Sequence, residues 1–194
     1  MPDRRAFVAG TFAFAAFPAH AAKPPPPPKI GAIHWPGPGY ELHGYMAVPA
    51  KAHGPQPAVL VVHDTGGADQ FALGLTDALA LAGYVACAPK ALASLDEGVA
   101  TVRWLATNAY ATGKVAAIGL GWGGALVERI AAAPGTLLTC GVAFGNTEPG
   151  MADGAVPILR LPALAATEDK AAYAAAWQQA VDFLDAHLRP PRGL

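Results

Sequence analysis

The sequence is poor in charge, and this shortage excludes a class of function. Only 14% of its 194 residues are Asp, Glu, Lys or Arg, and the formal net charge is −1. A chain so close to neutral lacks the basic surface that recognition of nucleic acid requires, so we expect no nucleic-acid partner. Hydrophobic residues make up 53% of the chain, enough for one well-filled core, and the length favours one globular domain.

Cysteine is scarce as well. The two cysteines, Cys87 and Cys140, are too few for a disulfide framework, and each falls in a predicted buried strand. A single disulfide between them is conceivable, but a buried cysteine more often acts as a small hydrophobic residue. We therefore expect two free thiols.

The most apolar N-terminal stretch is too short to span a bilayer. It is "AFVAGTFAFAAF", twelve residues that follow Arg4 and Arg5 and precede Pro18 and "AHA". A basic start, an apolar stretch and a small-residue cleavage site predict a secretory signal peptide at residues 1–21. The paired arginines resemble a twin-arginine export signal, and an ordinary Sec signal is the alternative. We expect a bacterial periplasmic or secreted protein with no membrane span once the signal is removed.

A proline-rich segment separates this signal from the folded domain. Residues 22–29 contain "KPPPPPK", which favours an extended polyproline II spacer without the capacity to pack. We therefore expect the globular domain to occupy residues 30–194.

Within that domain, apolar runs alternate with helical patterns. The run "PAVLVVHD", for example, is typical of a strand buried on both faces. Such alternation predicts a doubly wound, mostly parallel α/β sheet flanked by helices, here with an N-terminal antiparallel hairpin around a turn at 36–39. The predicted strands are 57–64, 84–89, 114–120, 140–145 and 156–161, and the predicted helices are 69–82, about 95–108, 123–133 and 168–188.

The sequence has no side chain at the position where an enzyme of this architecture would need one. "AAIGLGWGGAL", residues 116–126, runs from a predicted strand through a glycine-rich turn into a predicted helix. That context resembles the G-x-S-x-G nucleophile elbow, which presents a Ser or Cys above the sheet. The central position is Gly121.

Longer stretches extend the similarity. In order, "PAVLVVHD", "GYVACAP", "VAAIGLGWGG" and "GVAFG" resemble the dienelactone hydrolase family of α/β-hydrolases, across nearly the whole chain after the signal peptide. The resemblance implies a compact α/β-hydrolase-like fold. It also implies a Cys-His-Asp triad, an acidic residue that controls the thiol, and an oxyanion hole of backbone amides.

Carried onto this sequence, the family pattern assigns a role to each of five positions. The nucleophile position is Gly121, the acidic position is Asp64, and the oxyanion-hole amides are those of Thr65 and Trp122. The triad acid corresponds to Asp169, which is displaced from the usual spacing, as is its neighbour Glu168.

The resemblance also identifies what is missing. The stretch between the triad acid and the last helix, where the family has its His, is lacking, and His187 lies at the far end of that helix. Lys90 replaces the family's usual acid after the fourth strand. Acyl transfer through a triad needs a nucleophile and a base within hydrogen-bond reach. We therefore expect a catalytically silent binding or accessory protein with a small-molecule ligand.

Two other interpretations remain open. A divergent hydrolase of esters or lactones could use Asp64 as the general base for a water, although an Asp in "DTGG" more often caps its own loop. Residues 119–124 also spell G-x-G-x-x-G, but the bulky Trp122 lies where a dinucleotide's pyrophosphate would approach. His34, His43 and His53 show no metal-ligand spacing, so we expect neither a metal nor a cofactor.

Overall fold

The computed structural model describes residues 25–63, 67–145, 155–163 and 170–189. The predicted signal peptide and the first part of the predicted linker lie outside these ranges. The first strand begins at Lys29, one residue before the predicted start of the domain. Among the described residues, no helix is both long enough and apolar enough to cross a membrane.

The elements follow the predicted order closely. The strands are β1 (Lys29–Pro36), β2 (Glu41–Val48), β3 (Gln56–Val62), β4 (Val85–Pro89), β5 (Ala111–Leu120), β6 (Leu138–Phe144) and β7 (Ile158–Leu161). The helices are α1 (Gln70–Leu81), α2 (Leu95–Thr107), α3 (Trp122–Ala132) and α4 (Lys170–Leu188). The largest shift is at β5, which begins three residues early because Ala111 pairs with Gln56 across an irregularity in register.

The seven strands form one mixed sheet in the order β1-β2-β4-β3-β5-β6-β7. β1 and β2 form the predicted antiparallel hairpin, and β2 is also antiparallel to β4. The other four pairings, from β4 to β7, are parallel. The sheet is therefore mostly parallel, as the sequence predicts.

The sheet has a hydrophobic core on each face, which confirms the doubly wound architecture. On one face α2 and α3 pack through residues such as Leu105 and Ile130. On the other face α1 and α4 pack through residues such as Leu79 and Leu184. Because both faces are covered, the central strands are almost continuously apolar, and all residues of β4 are buried.

The hairpin is attached to α2 by a small network of side chains. Trp35 is buried, stacks on Trp104 with ring centroids 5.0 Å apart, and donates its indole N–H to Thr101 Oγ1 at 3.0 Å. The hydroxyl of Tyr40 donates to the buried carboxylate of Glu97. These contacts hold the hairpin turn against the start of α2.

The two cysteines cannot form a disulfide in this fold. Cys87 lies on β4 and Cys140 on β6, with β3 and β5 between them. They also belong to the cores on opposite faces of the sheet, and both are free and buried. Three strand spacings of about 4.8 Å separate them by about 14 Å, far more than a disulfide can bridge.

The topology determines where a ligand would bind. From β3 the chain first moves to β4 on one side and then crosses the sheet to β5 on the other side. The carboxyl ends of β3 and β5 therefore border the topological switch point, where open α/β sheets form their ligand crevice.

At that switch point α3 packs backbone against backbone. A Cβ on Gly123 would lie 2.3 Å from the Val62 carbonyl oxygen and 3.0 Å from that of His63. A Cβ on Gly119 would lie 2.3 Å from the Gly123 carbonyl oxygen. Only glycine at both positions allows the helix to begin this close to β3 and β5.

This packing predicts that Gly123→Ala will destabilise the protein by about 1–3 kcal/mol, because the new methyl group meets backbone atoms that cannot rotate away. Gly31→Ala is the matched control, since no atom lies within 4 Å of its added Cβ. We expect the control to stay within about 0.5 kcal/mol of wild type in urea unfolding followed by circular dichroism. Equal stabilities for the two variants would refute the backbone-contact argument.

Candidate functional site

The β5–α3 turn has the geometry of an elbow although it carries no nucleophile. Gly121 lies between Leu120, the last residue of β5, and Trp122, the first residue of α3. Its φ is 56° and its ψ is −121°, a combination that residues with a side chain rarely adopt. The sharp strand-to-helix turn that a G-x-S-x-G sequence would form is therefore present.

Hydrogen bonds on both sides fix this turn. Gly121 donates its amide to the carbonyl of Phe144 at 2.9 Å, and its own carbonyl accepts from Gly124 at 3.0 Å. The next residue after β6, Gly145, has φ 112° and lies alongside, so that a Cβ there would be 3.4 Å from Gly121 Cα. Gly145 follows one of the parallel strands whose carboxyl ends the sequence predicts to border a ligand, and its glycine is the signal for this close approach.

Trp122 provides two different groups at the turn. Because it is the first residue of the helix, no intrahelical carbonyl can accept from its amide, as an oxyanion-hole donor requires. The residue is 37% exposed, so the indole is partly accessible to solvent. The amide of Trp122 thus lies at the start of α3, and its role as an oxyanion-hole donor stays a prediction.

His63, at the carboxyl end of β3, is a buried structural residue. It is 6% exposed, and its Nε2 lies 2.7 Å from the carbonyl oxygen of Pro89, which must accept the proton. Pro89 ends β4, on the side of β3 away from β5. The ring is therefore held toward β4 rather than toward Gly121.

The other four described histidines lie on the hairpin, in the β2–β3 loop and on α4, not on the elements that form the turn. His187 Nδ1 donates to the Phe183 carbonyl at 2.8 Å, in the last turn of α4. That end of α4 lies at the amino edge of the sheet. Arg189, the residue after α4, donates from its guanidinium to the carbonyl of Ala82 just before β4. His53 lies between β2 and β3 at the same edge, and His34 and His43 lie on the hairpin. The hydrogen bond of His63 to Pro89 and that of His187 to Phe183 thus point these two nitrogens away from Gly121, and His34, His43 and His53 lie on other elements.

The cysteines cannot replace the missing nucleophile. Burial raises the pKa of the Cys140 thiol to about 12 and also raises the pKa of the Cys87 thiol. Both thiols are therefore protonated at neutral pH, and neither lies on a turn.

Lys90 follows β4 at the carboxyl edge of the sheet, the edge at which the β5–α3 turn lies. Its amide donates to the carbonyl of His43 at 2.7 Å, and its carbonyl accepts from Ala68 at 3.2 Å. Its side chain is exposed, and its backbone connects the hairpin to the segment after β3.

Several predicted site residues lie outside the described residues. They are Asp64 and Thr65 after β3, and Glu168 and Asp169 before α4. Within the described ranges, no three His, Cys, Asp or Glu side chains are grouped so as to hold a metal ion. The described part of the site contains Gly121 at the nucleophile position, the backbone amide of Trp122 at the start of α3, and the exposed indole of Trp122.

Comparison with known proteins agrees with the family suggested by the sequence. Residues 42–94 match the model of the Dienelactone hydrolase family. YghX of Escherichia coli (strain K12), a fragment named as a hydrolase, is 42% identical over 55 residues, which are 28% of this chain and 47% of YghX. The match thus spans about half the length of that relative.

Solved structures of dienelactone hydrolases share the fold at low sequence identity. The dienelactone hydrolase of Anabaena variabilis ATCC 29413 superposes with a TM-score of 0.62 and 17% identity, covering 84% of this chain and 99% of that one. A dienelactone hydrolase-like promiscuous phosphotriesterase from metagenomic libraries gives a TM-score of 0.65 and 16% identity, with the same coverages. The superpositions show that the chain has the α/β-hydrolase fold of the dienelactone hydrolases, and residues 42–94 resemble that family in sequence.

Proposed function

We propose that this protein is an exported, catalytically silent member of its fold that binds a small molecule at the carboxyl edge of the sheet. The observation that carries the proposal is the conformation of Gly121, which adopts the elbow geometry without a nucleophilic side chain. A ligand would lie between the carboxyl ends of β3 and β5, over Gly121 and beside the Trp122 indole.

The proposed silence follows from the chemical requirements of acyl transfer. Acyl transfer requires a nucleophile, a base to take its proton, and a group that orients the base. Gly121 supplies none of these, and the five described histidines are directed elsewhere. An oxyanion-hole donor alone retains only a small part of the rate enhancement of a complete triad.

A second candidate function is supported by the same turn. The Trp122 amide begins α3 at the position of an oxyanion donor, so a hydrolase that activates a water through Asp64 would still find part of its machinery in place. The two candidates differ in whether the wild-type protein turns over substrate.

We expect wild-type protein to hydrolyse p-nitrophenyl acetate and a simple lactone no faster than buffer, and Asp64→Asn to behave identically. Initial rates measured by absorbance and by pH-stat provide the test. Asp77→Asn is the control for a general effect of removing a carboxylate. Asp77 lies on α1, away from the turn, and its carboxylate accepts from the hydroxyl of Tyr45. Multiple turnover by wild type that is abolished in Asp64→Asn and retained in Asp77→Asn would establish the water-based hydrolase instead.

Export through the twin-arginine pathway is the cellular part of the proposal. The support is the pair Arg4 and Arg5 ahead of a short apolar stretch, followed by a small-residue cleavage site. The mature protein, beginning near Ala22, would then be periplasmic or secreted.

Replacing Arg4 and Arg5 by Lys keeps the positive charge but removes the paired arginines. We expect the double variant to remain in the cytoplasm with its signal uncut, as detected by fractionation and by the mass of the N-terminal peptide. Because a Sec signal requires only a basic start, periplasmic accumulation of the double variant at the wild-type level would indicate the Sec route.

A further inference from the structure

The β1–β2 hairpin has one apolar and one polar face. Ile33, Trp35 and Leu42 point into the core on the α2 side, as the period-two alternation of a strand requires. The opposite face therefore carries His34 and His43, which are directly paired across the two strands, and also Glu41. Their side chains are 67%, 61% and 52% exposed.

The carboxylate of Glu41 lies between the two imidazoles. Its Oε1 is 2.6 Å from His34 Nδ1, and its Oε2 is 3.6 Å from His43 Nε2. Because a carboxylate can only accept, His34 Nδ1 carries the proton in this contact, which leaves Nε2 of a neutral ring with its lone pair available. Metal-binding histidines typically have this arrangement, with the second ring nitrogen donating to a carboxylate that orients the ring.

We propose that His34 and His43 chelate a divalent transition-metal ion, with Glu41 orienting the His34 imidazole and water completing the coordination. Neutral imidazole nitrogens suit Zn²⁺, Ni²⁺ and Cu²⁺, whereas Mg²⁺ and Ca²⁺ prefer oxygen ligands. Only two protein side chains would coordinate the ion. The ion would therefore lie at the protein surface, with its other coordination positions open to water.

The separation of the rings is compatible with such a chelate. With Zn–N bonds of about 2.0–2.1 Å, each ring centroid lies about 3.2 Å from the metal, so a tetrahedral angle places the two centroids about 5.2 Å apart. The observed separation is 6.2 Å, with the ring planes inclined by 33°. Small side-chain rotations of two exposed residues close the difference of about 1 Å without moving the strands.

This site is separate from the one at the β5–α3 turn. His43 is on β2, and β4 and β3 lie between β2 and β5. Three strand spacings of about 4.8 Å separate the two places by about 14 Å, so the metal site stands independently of the proposed function.

Isothermal titration of the untagged full-length chain with ZnCl₂ tests the proposal. We expect one ion per chain at the hairpin, and we expect His34→Gln and His43→Gln each to weaken Zn²⁺ binding at least about tenfold through loss of chelation. His53→Gln is the matched control. His53 is also exposed, but it lies in the β2–β3 loop, at the opposite edge of the sheet from His34 and His43. It should bind Zn²⁺ within about twofold of wild type.

A second measurement locates the ion without relying on variants. In ¹H–¹⁵N spectra tuned to imidazole, Zn²⁺ should shift the ring signals of His34 and His43 and leave that of His53 in place. Zn²⁺ binding that is unchanged in both His34→Gln and His43→Gln, or ring shifts confined to other histidines, would overturn the proposal. So would the absence of any binding heat up to millimolar Zn²⁺.

Discussion

The backbone contact between the start of α3 and the end of β3 fixes the geometry of the rest of the site. Gly123 lies so close to the Val62 carbonyl that a single methyl group would not fit, and Gly119 is in equally close contact with Gly123. With the helix held there, the intervening residues must turn sharply, and Gly121 adopts a conformation that a side chain would strain. The Trp122 amide is then directed out of the helix start at the topological switch point of the sheet.

The same constraint separates fold from chemistry in this protein. Close packing of strand, turn and helix requires glycine at positions 119 and 123 and a positive φ at position 121. It does not require a nucleophile. A Ser or Cys at position 121 would add reactivity at the cost of strain, whereas glycine adopts the same conformation without strain. The elbow conformation can therefore occur without the nucleophile that active enzymes of this architecture present there.

Much of the fold could be predicted from the sequence because its signals are local. The β-branched run of β3, Gly83 after α1 and Pro134-Gly135 after α3 mark elements that the structure places within a few residues of the prediction. The elbow could be located because its glycine spacing lies within one short segment. The proximity of Gly145 to Gly121 could not, since it depends on the pairing of β5 with β6. The cross-strand pairing of His34 with His43 depends in the same way on hairpin register, which spacing along the chain does not reveal. The predicted roles of Asp64, Thr65 and Asp169 stay predictions, because these residues lie outside the described ranges.

The central claim is that the turn keeps the elbow conformation while Gly121 carries no nucleophile and no described histidine is directed to it. Intact-mass spectrometry after incubation with p-nitrophenyl acetate tests both halves at once, in wild type and in Gly121→Cys. Cys87 and Cys140 are buried and should not react in the folded protein. The account predicts an unlabelled wild type and a Gly121→Cys variant that holds one acetyl group, because the Trp122 amide can stabilise the oxyanion but no described histidine is directed to the turn to activate water for release. An acyl adduct on the wild type, or a variant that forms and then releases its acyl group in repeated cycles, would contradict it.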